Sequence, residues 1–417
     1  MRIITDLHLH SKYSRACSKD LDPEHIDQWA RIKGIDIVGS ADFTHPLWFK
    51  ELRGKLVEDK PGFFKLKNSD GKVLFMLTSE LSCIYSQGGK TRRLHICVFA
   101  PDFASVEKIN KALLDRKVNL SSDGRPIMGL SAKELAKIIL DVNEKNMVIP
   151  AHAWTPWFSV FGSYSGFNSL EECFGEMTKY IYSIETGLSS DPAMNWRLSQ
   201  LDNITLISNS DAHSPANLGR EANVFDIEKD KLSYDEIYKI IKEKDKKKFL
   251  YTIEFFPEEG KYHFDGHRDC NIQLSPEQTK KYNGICPVCK KPLTIGVLNR
   301  VDQLADRKEG YKLDSIPYKS LVPLPEIIAE ACSQGKNTKK VNEIYRQMIA
   351  KAGNEFRILL DLSEQELAEI AEPEIVLGIK NVREGRVNIS AGYDGVYGLV
   401  KVFLPGQRKG PEQDKLF

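Results

Sequence analysis

Along residues 1 to about 255, short apolar runs alternate with stretches whose apolar residues recur every three or four positions. The runs predict strands at 3–5, 35–38, 73–77, 94–99, 147–150, 181–184, 204–207 and 249–253. Between several of them lie helical patterns, such as Ser131 to Leu140. Strand–helix alternation predicts a mostly parallel sheet, and this many units predicts a closed βα barrel. The lysine-rich stretch 231–248 reads as an amphipathic helix with a solvated outer face.

The pattern changes twice after that. Residues 256–300 are short polar segments with clustered cysteine and histidine, and 301–417 are mainly helical, with helices expected at 324–333, 337–352 and 363–371. A hairpin is expected from 387–390 and 396–403 through Gly392-Tyr393-Asp394-Gly395, and the polar tail after Pro405 is expected to fray. Three units follow: 1–255, 256–300 and 301–417. There is no internal repeat and no low-complexity segment.

The 417 residues carry a net charge of +1, so no global field draws the chain to a polyanion; such a partner must meet a local basic face. No apolar run reaches the roughly 20 residues needed to span a bilayer, and the N-terminus lacks the shape of a signal peptide. The expectation is a cytoplasmic protein without a membrane partner, in which cysteines act as metal ligands or core residues.

The histidines change the picture most. In Asp6-Leu7-His8-Leu9-His10 the two imidazoles stand two apart after the first strand. In extended backbone such residues point to one side. Asp211 and His213 repeat that spacing after the strand at 204–207. Asp42 and His45 follow the second strand, Glu80 the third, His152 the fifth, and Glu185 ends the sixth, while His95 lies in the fourth. Strand ends on one rim of a βα barrel are where catalytic side chains converge. Imidazole with carboxylate suits Zn, Mn or Fe rather than an all-oxygen calcium site. Two or three such ions can clamp a phosphoryl group and activate water. Any one of these residues alone reads as a packed core or loop residue; the set together does not. Asp6 and Glu185 are expected to orient imidazoles rather than to ligate.

A second set is His267-x2-Cys270 and, after fifteen intervening residues, Cys286-Pro287-Val288-Cys289. This is the spacing of one structural zinc; His263 competes for the histidine position, and His267 gives the tighter pair. Lys290 and Lys291 follow directly and are compatible with phosphate contact or with plain solvation.

Directly after His152 the chain runs through Trp154, Trp157, Phe158, Phe161, Tyr164 and Phe167, rich in glycine and poor in charge. Such a loop at a catalytic rim either stacks a base and wedges a duplex or buries its own rings. Trp48 and Phe49 face the same alternatives. Lys336, Lys339, Lys340, Arg346 and Lys351 fall on one helix and its lead-in, where a solvated face is the default and DNA contact the lesser reading.

The Asp6 to His10 motif, the Asp42 segment, Glu80, His95, His152 and Asp211-Ala212-His213 together resemble the PHP superfamily of polymerase and histidinol phosphatase domains. That resemblance implies, over residues 1 to about 255, a distorted (β/α)7 barrel with a two- or three-metal phosphoesterase centre. Ligands would be His8, His10, Glu80, His95, His152, Asp211 and His213, with Asp42 or His45, and the ions Zn, Mn or Mg. Arg15 and Ala16 stand where many relatives carry an acidic or histidine ligand. Arg15 is then a candidate for gripping a substrate phosphate, against a surface salt bridge. Ala41-Asp42-Phe43 replaces the frequent Thr-Asp-His, and the ligand role there falls to Asp42 or His45.

The full order is more specific. It runs from Ala41–Pro46 through Ser165–Phe174, Glu185–Pro192, Ser208–Pro215 and the zinc segment to Gly392–Gly398, and it resembles the endonuclease Q family nearly end to end. The resemblance implies a DNA repair endonuclease that uses metal-activated water. It would cut 5′ to deaminated bases (hypoxanthine, uracil, xanthine) or abasic sites. Damaged DNA would be the partner, with repair or replication factors open. The alternatives are a small-molecule PHP phosphatase and a non-catalytic DNA-binding PHP protein.

Overall fold

The computed structural model describes residues 1–407. Seven strands form a ring: β1 (Arg2–Asp6), β2 (Ile37–Gly39), β3 (Leu74–Gln87), β4 (Lys90–Ala100), β5 (Met147–Pro150), β6 (Ser183–Glu185) and β7 (Thr205–Ile207). Neighbours β1, β2 and β3 run parallel, as do β6 and β7. The ring closes through a parallel bridge between Leu9 and Ala212, with His10 N–H donating to the Ala212 carbonyl at 3.1 Å. Between β5 and β6 the link is Ala153 N–H to the Glu185 carbonyl, 2.9 Å. Helices 23–33, 46–55, 103–115 and 132–142 pack outside. This is the distorted (β/α)7 barrel.

The distortion is β4. It runs antiparallel to both neighbours, paired with β3 from Leu77–Ala100 to Gln87–Lys90 and with β5. Gly88 and Gly89 make the turn at φ 63° and 73°, the positive values a two-residue hairpin with right-handed twist requires. The third predicted strand therefore does not end at residue 77. It continues for ten more residues, and Glu80 lies inside it rather than after it.

Outside the ring, β8 (Ala222–Asp226) pairs antiparallel with β1, β9 (Phe249–Glu254) with β8, and β10 (Tyr318–Ser320) parallel with β9. This ladder carries the sheet from the barrel into the C-terminal region. There, helices Leu324–Ala331, Lys339–Ala352, Glu364–Ala368 and Pro373–Arg383 pack together. The last was not anticipated. Ile327, Ile328, Val341, Met348 and Ile379 join the apolar cluster that also holds barrel residues Ile26, Trp48 and Leu135. The expected hairpin is present as Asn388–Ser390 against Leu399–Lys401. Most of the tail expected to fray lies beyond Gln407, outside the described residues. Lys336 pairs with Glu326 at 2.8 Å and Lys339 with Glu343 at 3.7 Å, which leaves that helix face solvated. No described helix is long and apolar enough to cross a membrane.

Candidate metal centre

The i, i+2 spacing does what extended backbone dictates: His8 and His10 enter the same buried pocket at the rim. The His8 Nδ1 lies 3.0 and 3.1 Å from the two Glu185 oxygens, and Asn209 Nδ2 donates to that carboxylate at 2.9 Å. Glu185 thus fixes the ring and turns Nε2 inward. That nitrogen is buried and has no hydrogen-bond partner. It faces Glu80 Oε1 and Asp211 Oδ1, each at 3.7 Å. The His10 Nε2 lies 3.0 Å from Asp211 Oδ1 and 3.4 Å from Glu80 Oε2.

Because Glu80 sits mid-strand opposite Cys97, it shares a sheet face with His95. The His95 Nδ1 is 2.8 Å and the His152 Nε2 3.1 Å from Glu80 Oε1. Two groups of donor atoms result, His8–His10–Asp211 and Glu80–His95–His152, each within 4.8 Å. Glu80 touches both. Buried imidazole nitrogens and carboxylate oxygens converging on one another, with His8 Nε2 left without a hydrogen-bond partner, are the donor set a borderline divalent ion takes. The residues present therefore fit divalent metal.

The backbone is held out of its usual range here. Asp42, His152 and Asp211 have φ of 34°, 30° and 46°. Non-glycine residues rarely adopt such values, which cluster at functional sites.

Charges are arranged to match. Burial disfavours the Glu80 carboxylate, but His95, Arg125 and His8 outweigh it and hold its pKa well below the usual carboxylate range. Asp211 is likewise lowered, against burial, by His10 and His8. Burial opposes charge on His10, yet hydrogen bonds to Asp211 and Asp42 push it up to about 9. Burial lowers His95 to about 4 despite Glu80.

Other expected ligands stand differently. Asp42 lies behind His10, with Oδ1 3.4 Å from its Nδ1. Its Oδ2 accepts from Ser11 N–H at 2.7 Å, Ser11 Oγ at 2.6 Å and Ser14 Oγ at 2.8 Å, so the carboxylate orients His10 and is saturated. His45 joins neither donor group; it precedes helix 46–55 and stacks on Tyr13 at 4.4 Å. His213 sits at the edge, 33% exposed, its ring 4.6 Å from His10 and Nδ1 turned 2.8 Å from the Asp211 carbonyl. Asp6 orients no imidazole. It accepts from Ser210 and Gly219 N–H at 3.0 and 2.9 Å and so anchors the loop that carries Asp211.

The aromatic loop divides. Trp154, Phe161 and Phe167 are buried, with Trp154 Nε1 donating to Asn195 Oδ1 at 2.8 Å, and no ring face is left for a base. Trp48 is also core, its Nε1 bonded to the carbonyls of Ser40 and Ala41. Trp157 and Tyr164 point outward, stacked at 4.7 Å and 4°, with Tyr262 edge-on to Trp157 at 5.4 Å. Phe158 leans on His95 at 4.7 Å. Arg15 is 85% exposed, and among the described residues its side chain meets Asp123 in a surface salt bridge at 3.5 Å. The arginine that does reach the centre is Arg125, which the sequence pattern did not single out: its Nη1 lies 2.9 Å from Glu80 Oε2.

Further along, a short hairpin, Asp265–His267 against Ile272–Leu274, brings His267 and Cys270 toward a turn at Cys286 closed by Cys286 N–H to the Lys291 carbonyl, 2.8 Å. The donor atoms of His267, Cys270, Cys286 and Cys289 lie within 4.8 Å of one another, a set that fits a closed tetrahedral zinc site. His263 is buried separately and is not part of it.

Comparison with known proteins adds the following. A family model described as the MJ0043 C-terminal domain matches residues 323–386. The crystal structure of the lesion-specific endonuclease PfuEndoQ from Pyrococcus furiosus superposes at TM-score 0.85 with 31% identity, over 96% of this chain and 95% of that one. A structure of endonuclease Q with a 27-mer duplex bearing an abasic lesion at its active site superposes at TM-score 0.83 with 32% identity, over 96% of each chain. Protein MJ0043 of Methanocaldococcus jannaschii is 33% identical over 256 residues, 60% of this chain and 31% of that protein. The match thus spans about a third of that relative's length.

Proposed function

This chain belongs to the endonuclease Q family of metal-dependent endonucleases, and from that premise we propose that it incises damaged DNA 5′ to the lesion. Abasic sites and the deaminated bases hypoxanthine, uracil and xanthine are the lesions, and the ends are a 3′-hydroxyl and a 5′-phosphate.

One observation supports this reading above others. Glu80 stands between two donor groups, and His8 offers a buried ring nitrogen with no other partner. Divalent ions held there supply the positive charge and Lewis acidity that phosphodiester hydrolysis uses. His8, His10, Asp211, Glu80, His95 and His152 would hold such ions, with His213 at the entrance.

The chain's own residues then have separate tasks. Glu185 and Asp42 hold the His8 and His10 rings in place, so the donor set is assembled before DNA arrives. A lesion that pairs poorly or lacks a base is cheaper to rotate out of the duplex than a normal nucleotide. The exposed Trp157–Tyr164 stack offers a flat face for a neighbouring base, worth about 1–3 kcal/mol. Buried Trp154, Phe161 and Phe167 support that loop from below.

The test is incision of end-labelled duplexes carrying one abasic site, uracil, hypoxanthine or xanthine, beside an undamaged control, with and without chelator. Cleavage 5′ to the lesion that chelator abolishes and Glu80→Gln lowers by at least 100-fold is expected. Intact lesion duplexes together with turnover of small phosphomonoesters would refute the reading in favour of a small-molecule phosphatase. Binding with no incision would favour a non-catalytic DNA-binding protein.

A further inference from the structure

The metal-centre side chains are almost all shut away from solvent. His8, His10, Glu80 and Glu185 are at most 2% exposed, and His95 and His152 about a tenth. Three side chains are open: Asp211 at 24%, His213 at 33% and Arg125 at 23%. They line the mouth. A phosphate entering it meets two groups that offer acceptor or ligand atoms and one cation.

Arg125 is held there by its neighbours rather than by its own length. Gly124 presses against Asp42: a Cβ at residue 124 would stand 2.2 Å from Asp42 Oδ2 and 2.3 Å from Ser14 Oγ. The Gly124 N–H donates to the Tyr13 carbonyl at 3.0 Å, and Arg125 N–H to Asp123 Oδ1 at 3.0 Å. On the other side Ser82 N–H donates to the Pro126 carbonyl at 3.1 Å, and residues 127–128 pair with β3. Both flanks are pinned, so the guanidinium is delivered to one place.

One nitrogen, Nη1, is used on Glu80. Among the described residues Nε and Nη2 have no hydrogen-bond partner and are not sealed from solvent. The carboxylates of Glu80, Asp211 and Asp123 face the group, and the first two belong to or border the centre; the His95 and His213 rings feel its charge as well. A forked donor with its Nε–Nη2 edge free beside a centre that handles a phosphodiester has the geometry for non-bridging phosphate oxygens.

We propose that Arg125 is a catalytic residue: its Nε and Nη2 donors bind the non-bridging oxygens of the scissile phosphate while Nη1 stays on Glu80. This rests on the nuclease reading above. The phosphate is thereby set in line with the Glu80-centred groups, and the charge that builds on its oxygens during cleavage is met by a fixed cation.

The test uses the abasic duplex, whole protein and measured metal content. The expected loss in kcat/KM for Arg125→Ala is on the order of 100–1,000-fold, the range seen for removing one such donor. Metal content and melting temperature stay at wild type, and added guanidinium ion restores part of the rate. Arg125→Lys recovers little, because an ammonium cannot fork. Sulfur in place of one non-bridging oxygen slows the wild type and has a smaller effect on Arg125→Ala. Wild-type rates for Arg125→Ala overturn the proposal. So does a loss of activity that tracks a loss of metal and is not relieved by guanidinium, which reduces Arg125 to a partner of Glu80. A wild-type protein that leaves the abasic duplex intact instead refutes the nuclease reading itself, and the proposal with it.

Discussion

Lys33 closes the helix at residues 23–33 on the barrel, and Glu355 follows the helix at 339–352 in the C-terminal region. Their side chains are 6% and 4% exposed, with Nζ 2.7 Å from Oε2. Glu355 also accepts from Tyr345 Oη at 2.6 Å and from Leu324 N–H at 3.0 Å, which holds the start of the helix at 324–331. The two partners are therefore unequal. In Lys33→Met the carboxylate keeps two donors, and the loss should be about 2 kcal/mol, near the low end for a buried charge left partly satisfied. In Glu355→Ala the ammonium is left buried and unpaired while Tyr345 and Leu324 lose their acceptor, and the loss should be about 3–5 kcal/mol. Lys33→Met with Glu355→Leu should cost less than the sum by at least about 1 kcal/mol, because the pair is removed together. All five tryptophans precede residue 200, so their fluorescence reports the barrel while far-ultraviolet circular dichroism reports both parts. Urea titration should show the two signals coincident in the wild type and separated in Glu355→Ala, helix loss coming first. A change under about 1 kcal/mol for Glu355→Ala, or strict additivity in the double variant, would refute this reasoning.

Other outcomes follow from single features. Burial pushes the Glu254 carboxyl from 4.5 up to about 8, with the Asp191 charge adding to it and hydrogen bonds from Thr252, Thr186 and Ser208 opposing it. A raised carboxyl pKa adds stability that is fully present below the unfolded value and fades as pH rises to the folded one, so the wild-type melting temperature should fall between pH 5 and 8 relative to Glu254→Gln. Gly34 ends its helix at φ 87°, and a Cβ there would stand 2.4 Å from Asn354 Oδ1. Gly34→Ala should thus cost about 1–2 kcal/mol or more by denaturation, and Asn354→Gly should recover part of it. Cys286→Ser should lower bound zinc by one per chain and expose 268–291 to protease, while the tryptophan transition of the barrel stays in place. Trp157→Ala should weaken binding of the abasic duplex by about 1–3 kcal/mol with kcat little changed, read by fluorescence anisotropy beside single-turnover rates.

What was legible in the sequence is what depends on neighbours in the chain. The His8–His10 and Asp211–His213 spacings follow from the two-residue period of extended backbone, and the zinc ligands from two tight turns. What was not legible depends on partners far away. One signal was local and was missed: the Gly88-Gly89 turn, with both φ values positive, marks a strand that runs past Leu77 to Gln87. Missing it misplaced Glu80 by half a strand and hid the antiparallel return that sets His95 beside it. The aromatic loop likewise reads as one chemical unit, yet packing splits it ring by ring, and only the core opposite decides that Phe161 is buried and Tyr164 is not.

The two arginines make the same point about function. Arg15 is near His10 in sequence and was the natural candidate for a phosphate; Arg125 lies in a loop with no motif. Arg125 reaches Glu80 because Gly124 can sit against Asp42 and Ser14, where a Cβ would clash, and this swings the following residue onto Glu80. Gly124→Ala consequently tests the whole chain of inference from packing to chemistry. The added methyl must displace Asp42, which orients His10, or the loop, which delivers Arg125. Either shift should lower the incision rate by about tenfold or more, since a misplacement of about 1 Å can cost as much as 100-fold, beside a stability loss of about 1–3 kcal/mol for the overpacked methyl. A Gly124→Ala protein that incises like the wild type would show that neither Asp42 nor Arg125 is held as tightly as the structure indicates.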